Sequence, residues 1–282
     1  MPLVFVPTPL GNLRDVTLRA LDALREAELI VAEDTRVARK LLHALQLEGR
    51  EIWSYREQNA ERVTPAIVER ARTALVAVTS DAGMPGISDP GSALVAAARA
   101  GGVSVEVLPG PTAAMGVALL SGFPLQRFSF EGFPPRTSGE RRTRFSHALQ
   151  GGTTTIWYES PRRIRAALCD LAAVAPGARI FAVREYTKHH EQHFSGTAER
   201  VAAELPDPVM GEVAFAVAPY RVAAAVPTTE ATSAAIDALL ERGTRVGEVA
   251  KQLAARGFGE RQQLYARAVE RKARRKTSIK QG

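Results

Sequence analysis

The chain has 282 residues, enough for a substantial core and for two domains, and its 45% hydrophobic and 24% charged fractions are those of an ordinary soluble globular protein. A single cysteine, Cys169, excludes an internal disulfide framework; no apolar run approaches the roughly 20 residues that span a bilayer, and "MPLVFVPTPLGN" lacks a secretory pattern, so a cytoplasmic protein is expected. The formal net charge of +7 is concentrated at one end: residues 261–280 hold eight Lys/Arg and one acid, Glu270, which leaves the remainder neutral and suggests contact with phosphates.

The N-terminal half reads as alternating strand and helix. "LVFV" is a short apolar strand ended by "PTPLGN", and Asp15 is placed to cap a helix carrying Leu18, Leu21 and Leu24 at helical spacing. "LIVAED" is a second strand, with a helix through Arg39, Leu42 and Leu45 behind it. "EIWSY" follows, then Thr64-Pro65 as a helix-start signal, then the strand "ALVAVT". A helix from about Ser92 and the strand "VSVEVL" complete this part, and continuous apolar strands between helices predict a largely parallel sheet.

A second series starts near "GFPLQRFSFEGFPPR". It has the strand "RFSFEGF", a basic helix after Ser138 whose Arg141, Arg142 and Arg144 form a solvated face, the strand "TTTIWY", and a helix begun by Ser160-Pro161. "RIFAVREY", an extended "KHHEQHF", a helix after Thr197 and the strand "GEVAFAVAP" come next, with strands able to pair as hairpins. "YRVAAAVPTTEATS" reads as a linker to two or three short helices, the last two separated by a turn at Gly257 and Gly259. The expected fold class is α/β, with domains at 1–115 and 116–222, then linker and small basic helical segment at 223–282.

Several chemistries find no support. There is no G-x-x-x-x-G-K-[ST], no G-x-G-x-x-G after the first strand and no G-x-S-x-G, and Cys169 lies mid-helix without a catalytic setting. His189 and His193 do not form H-E-x-x-H, so no metal is assigned. What stands out is a set of Gly- and Pro-rich loops at strand ends: "PTPLGN", "AEDTR", "SDAGMPGISDPG", "LPGPTAA" and "YESPRR". In open α/β sheets that edge is where ligands lie, and these loops suit a ligand held by main-chain groups and flanked by carboxylates better than a triphosphate.

Together with "GNLRDVTLRAL", "EGFPPR" and "REYTKHHE", these loops resemble the tetrapyrrole-methylase superfamily over residues 3–219, and within it the branch of small-subunit rRNA cytidine 2′-O-methyltransferases. One departure is that the branch usually has threonine where this chain has Met84. The resemblance implies two α/β domains with S-adenosyl-L-methionine in the cleft between them, and 2′-O-methylation of a cytidine in the decoding region of 16S rRNA within the small ribosomal subunit, by a homodimer. It implies cofactor contacts at Pro7, Gly11, Asp81, Gly83, Met84, Pro85, Ile87, Ser88, Asp89, Thr112 and Ala113, closed by Tyr158, Val183 and Ala216. A base for the hydroxyl would come from Glu33, Asp34, Glu159, Glu185 or Lys188, although Asp34 could cap the helix at Thr35 and Glu159 could pair with Arg162. RNA contacts fall to Arg36, Arg136, Arg162 and Lys188. A small-molecule acceptor such as a tetrapyrrole, and a non-catalytic ribosome-associated RNA-binding protein, are the alternatives.

Overall fold

The computed structural model describes residues 2–88, 90–220 and 229–280. Asp89 and most of the expected linker lie outside the described residues. The chain divides into two compact units at Tyr220/Arg221.

The larger unit contains two five-stranded sheets. The first uses β1 (Leu3–Phe5), β2 (Leu29–Ala32), β3 (Glu51–Ser54), β4 (Val76–Thr79) and β5 (Val105–Val107), in the order β3-β2-β4-β1-β5, all parallel. Alternate side chains along a strand face opposite ways, and both faces here are apolar. Leu3, Phe5, Leu29, Val31, Val76 and Val78 pack on α3 (Ala60–Thr73) and α4 (Ser92–Ala100) through Ile67, Ala71, Leu94 and Ala98. Val4, Val6, Ile30 and Ala77 pack on the other side against Ala20 and Leu24 of α1 (Leu18–Glu26) and Leu42 of α2 (Thr35–Ala44). The parallel sheet therefore follows from central strands, β2, β4 and β1, with no exposed polar face.

Two helix starts around the first sheet differ from the sequence-based expectation. Asp15 ends a short 3-10 turn (Leu13–Asp15), and Thr17 caps α1, its hydroxyl accepting from the Ala20 amide at 3.1 Å. The helix expected to start at Thr64-Pro65 begins at Ala60 instead. Asn59 closes a turn there, accepting from the Arg56 amide at 2.7 Å and donating to the Ser54 carbonyl at 3.0 Å, so Pro65 lies inside α3.

The second sheet has the order β6-β7-β10-β8-β9, formed by β6 (Phe128–Gly132), β7 (Thr154–Glu159), β8 (Arg179–Arg184), β9 (Gln192–Thr197) and β10 (Val213–Val217). Only β6 and β7 run parallel; β10 pairs antiparallel with β7 and β8, and β8 with β9. One face packs Ile156, Val183, Ala214 and Ala216 on α5 (Ala113–Leu120). The buried Trp157 meets Phe145 edge-on at 4.9 Å and stacks on Phe215 at 6.3 Å. Phe145 belongs to α6 (Ser138–Gln150). The helix expected at Ser160-Pro161 begins with a turn there and runs as α7 (Ile164–Val174); α8 (Ala198–Glu204) is capped by Thr197.

The arginine run on α6 is a solvated face only in part, because Arg142 and Arg144 are exposed and Arg141 is buried. Arg141 is 5% exposed and donates through Nε to Asp170 of α7 at 2.8 Å; Arg142 reaches the same carboxylate at 2.7 Å, and Arg144 pairs with Glu131 at 2.6 Å. A buried cation needs a partner, and Asp170 supplies it. "KHHEQHF" is likewise only partly extended: Lys188 to His190 form turns and the strand starts at Gln192.

The smaller unit contains α9 (Thr229–Glu241), α10 (Val246–Ala255) and α11 (Arg261–Lys280). Ile236, Val249, Ala250, Leu253, Leu264 and Ala268 form its core, and Arg271 donates to Asp237 at 2.7 Å. The basic stretch is α11. Among the described residues no helix is long and apolar enough to cross a membrane.

Candidate active site

All five strands of the first sheet run the same way, so the loops after them gather at one edge. The loop after β4 is stitched to the loop after β1. Thr8 and Gly83 exchange two main-chain hydrogen bonds of 2.9 and 3.0 Å, and the Ser80 hydroxyl donates to the Gly83 carbonyl at 3.1 Å. Gly83 has φ +82°, and a Cβ there would stand 3.0 Å from Leu10. The loop then folds on itself, because a Cβ on Gly91 would come within 2.8 Å of the Gly86 Cα. Glycine at these positions is a requirement of backbone shape and contact. Ser88 takes φ +65°, an unusual conformation for a residue with a side chain.

Opposite this loop lie the ends of β7 and β8 and the start of β10. Together they enclose a cavity of about 360 Å³, a size suited to a small organic ligand. Leu10, Ala82 to Met84, Ile87 and Ser88 form one wall, with Thr112 and Ala113 at the start of α5. Phe133, Tyr158, Val183, Tyr186 and Ala214 form the other. Tyr158 is fixed by accepting from the Ala114 amide at 2.9 Å and by edge contacts with Phe130 and Phe133. The walls are mostly apolar side chains with main chain between them, and Asp81, Glu159 and Glu212 also line the cavity. Met84 contributes a thioether side chain where a threonine hydroxyl was the expectation from resemblance.

Of the expected cofactor residues, Asp81, Gly83, Met84, Ile87, Ser88, Thr112, Ala113, Tyr158 and Val183 line this cavity. Pro7, Gly11, Pro85 and Ala216 lie outside its lining. Pro7 packs under Gly110, where a Cβ would be 2.7 Å from the proline ring, and Gly11 lies beneath the Lys188 stem. Ala216 is fully buried on β10, whereas Ala214, two residues along the same face, reaches the cavity. Leu10, Phe133, Tyr186 and Glu212 are lining residues that sequence reading missed.

The expected bases fall into distinct surroundings. Asp34 caps α2 and accepts from the Arg36 amide at 2.8 Å and from its guanidinium at 2.5 and 3.0 Å. These Arg36 bonds hold its carboxyl far below the usual carboxylate range. Glu159 is buried and engaged by the Ser160 amide at 2.7 Å and by Arg163 at 2.9 Å; Arg163, rather than Arg162, is its ionic partner. Arg163 also donates to the Pro134 and Pro135 carbonyls, tying down the loop that carries Phe133.

Glu185 and Lys188 pair at 2.9 Å, and Glu212 joins them, its carboxylate 3.1 Å from Nζ and its amide donating to Glu185 at 2.9 Å. Burial opposes charge on both, but the Glu212 amide and Lys188 carry Glu185 below its ordinary value, and the two glutamates carry Lys188 above its own. Lys188 is thus held as a cation. Gly211 leaves room for Glu185, since a Cβ there would collide with its carboxyl. Arg136 and Arg162 are exposed, and neither lines this cavity or the one beside it.

A second cavity, about 810 Å³ and wide open, adjoins the first. Glu33, Asp34, Arg36, Tyr55, Arg56, Gln58 and Pro90 to Ala93 line it, and Asp81 and Ser88 belong to both cavities. Arg56 donates to the Glu33 carbonyl at 2.9 Å and stands 3.8 Å from Asp34.

Comparison with known proteins agrees with this architecture. The family model described as tetrapyrrole (corrin/porphyrin) methylases matches residues 2–202. The chain is 38% identical over 281 residues to "Ribosomal RNA small subunit methyltransferase I" of Mycobacterium bovis, covering 98% of this chain and 96% of that one. It is 40% identical over 199 residues to the protein of the same name from Thermotoga maritima, covering 69% of this chain and 87% of that one. Among solved structures, diphthine synthase superposes with a TM-score of 0.61 at 17% identity, over 77% of this chain and 90% of that one. Uroporphyrin-III C-methyl transferase from Thermus thermophilus, complexed with S-adenyl homocysteine, superposes at 0.54 and 19% identity, over 77% and 97%. These last two likenesses concern the fold. The chain belongs to the tetrapyrrole (corrin/porphyrin) methylase family.

Proposed function

We propose that this chain is an S-adenosyl-L-methionine-dependent methyltransferase acting on 16S rRNA, and that its acceptor is the ribose 2′-hydroxyl of a cytidine in the decoding region of the small ribosomal subunit. The observation that carries this is near full-length identity of 38% to relatives named for small-subunit ribosomal RNA methylation. The smaller cavity supports it, because the lining suits the cofactor. Main chain at Ala82 to Ser88 offers amides and carbonyls to an amino acid and ribose, and a Cβ at Gly83 would press on Leu10 of the cavity wall. Tyr158, Val183 and Ala214 offer an apolar slot for a base.

When bound there, the cofactor supplies a methyl group activated by a sulfonium. The residues of this chain have the tasks of alignment and dryness. The Thr8–Gly83 bridge and Pro85 fix the loop before binding, which reduces the ordering cost. Tyr186 and Phe133 shield the far wall. The ion cluster of Glu185, Lys188 and Glu212 holds the end of β8 against the start of β10 and lays the Lys188 stem over Gly11, tying together loops of the two sheets. In this role Lys188 positions the cleft and presents a cation to RNA phosphates, and Arg36, Arg136 and Arg162 extend that basic surface. Domains at 1–115 and 116–222 would close on the donor, and a homodimer would cover exposed Leu18 and Leu119, 79% and 74% exposed.

The test is transfer of labelled methyl from S-adenosylmethionine to small ribosomal subunits lacking the modification, followed by nuclease digestion and mass spectrometry. The expected product is one 2′-O-methylcytidine per subunit. Transfer to a base, or to uroporphyrinogen in preference to RNA, would contradict the assignment.

A further inference from the structure

Asp81 stands on the wall that the two cavities share. On one side is the apolar cleft suited to the methyl donor; on the other is a charged basin formed by the loops after the first sheet's strands and the first turns of the helices that follow them. Among the described residues Asp81 is the carboxylate common to both linings, and four neighbouring carboxylates are engaged in ion pairs. Asp34 is held by Arg36, Glu159 is buried against Arg163, and Glu185 and Glu212 hold Lys188. Asp81 accepts a single hydrogen bond from the Asp34 amide, at 3.1 Å through Oδ1, and its Oδ2 carries no hydrogen bond among the described residues.

We infer that Asp81 is the catalytic base that takes the proton from the acceptor hydroxyl, and that the basin beyond it receives the acceptor's ribose and phosphate. This rests on the function proposed above. Methyl transfer forms a carbon–oxygen bond from the ribose oxygen while the carbon–sulfur bond breaks, its electron pair staying with sulfur. The hydroxyl proton passes to the Asp81 carboxylate, which is exposed and returns it to water. Charge balances: the sulfonium becomes a neutral thioether and one proton is released.

The basin supplies what a ribose–phosphate needs. Arg36 and Arg56 line it, and each presents a guanidinium already oriented by Asp34 or by the Glu33 carbonyl. The charged groups lining the basin around Asp81 are Glu33, Asp34, Arg36, Arg56 and Glu57. Burial raises the Asp81 carboxyl; the Asp34 amide offsets this, the Asp34 charge adds to it, and Arg56 and Arg36 oppose it, leaving Asp81 above its ordinary value. A higher value makes a stronger base.

Asp81→Asn keeps an acceptor for the Asp34 amide and removes the base. At saturating cofactor and subunits, its rate should fall at least about 100-fold, the lower range for lost acid–base catalysis. Calorimetric affinity for S-adenosylhomocysteine and filter-binding affinity for the subunit should each stay within about threefold, since Asn keeps the size and the acceptor oxygen that Asp81 presents to both cavities. The wild-type rate should fall on acidification through a limb above the free aspartate value of about 3.9, and Asp81→Asn should lack that limb. Asp81→Glu should recover part of the rate together with the limb. Independently of turnover, carbon-13 titration of the Asp81 carboxyl in the cofactor-free protein should give a midpoint above the free value. An Asp81→Asn rate within threefold of wild type, or a tenfold loss of cofactor affinity, would overturn the assignment and leave the proposed function standing. Wild-type enzyme that fails to methylate subunits would remove the function itself.

Discussion

The two cavities that meet at Asp81 differ in almost every respect. The smaller is shaped by main chain and apolar side chains from both sheets, and its form depends on glycine. The larger belongs to one sheet and is lined, besides Asp81, by five charged side chains, Glu33, Asp34, Arg36, Arg56 and Glu57. The contrast separates the two demands of group transfer. A donor of fixed structure can be held by rigid backbone that costs little to order. A polyanionic acceptor needs charge, and the charged side must also provide a place for a proton.

Substitutions that fall on one side only can break or sharpen this contrast. Gly83→Val should have the largest effect. Gly83 adopts φ +82° and a Cβ would meet Leu10 at 3.0 Å, so calorimetry should show cofactor affinity reduced at least about 100-fold through lost shape. RNA affinity should be unchanged, and equal cofactor affinity would move the donor site elsewhere.

Asp170→Ala tests the support behind the cleft. It strands Arg141, which is 5% exposed and also donates to the Pro135 and Arg136 carbonyls. Denaturant unfolding should show a loss of about 3–5 kcal/mol, as for other broken buried pairs. Burial raises the Asp170 carboxyl, but bonds from Ser138, Arg142 and Arg141 outweigh it and leave the value below normal. A group depressed in the folded state stabilises above its unfolded value of about 3.9 and loses that contribution as pH falls through the lower folded value. The deficit of Asp170→Ala should therefore be full at pH 7 and shrink on acidification below about pH 4.

Arg56→Ala lies wholly on the charged side. Its expected signature is a KM for subunits raised by about tenfold, with cofactor affinity unchanged. The smallest change belongs to the C-terminal helix. Arg267→Gln with Lys272→Gln should lower the slope of log affinity against log salt by no more than about 1.4–1.8, or about 0.7–0.9 for each phosphate that is no longer neutralised. An unchanged slope would mean that this helix does not touch RNA.

The parts of the site that could be seen in the sequence are those fixed by local backbone demands. Glycine at 83, 86 and 91 announces a loop with positive φ and close self-approach, and Asp34 before Thr35 announces a cap. Continuous apolar strands such as Leu29–Ala32 announce a sheet buried on both faces. What escaped depends on distant segments meeting. Glu212 joins Glu185 only because β8 and β10 pair antiparallel, which neither "REYTKHHE" nor "GEVAF" shows alone. Arg163 rather than Arg162 takes Glu159 because the turn before α7 sets their phase. Asn59 starts α3 ahead of Thr64-Pro65 through bonds to Ser54 and Arg56, a competition that proline placement alone misses.

The most direct measurement is a crystal structure of the chain with S-adenosylhomocysteine. The account predicts the adenosyl group between Ala82–Ser88 and Tyr158–Val183, its sulfur on the side facing Asp81 and the charged basin. Ligand bound at another place, or a loop from Ala82 to Ser88 closed against neighbouring protein with no room for it, would contradict the account.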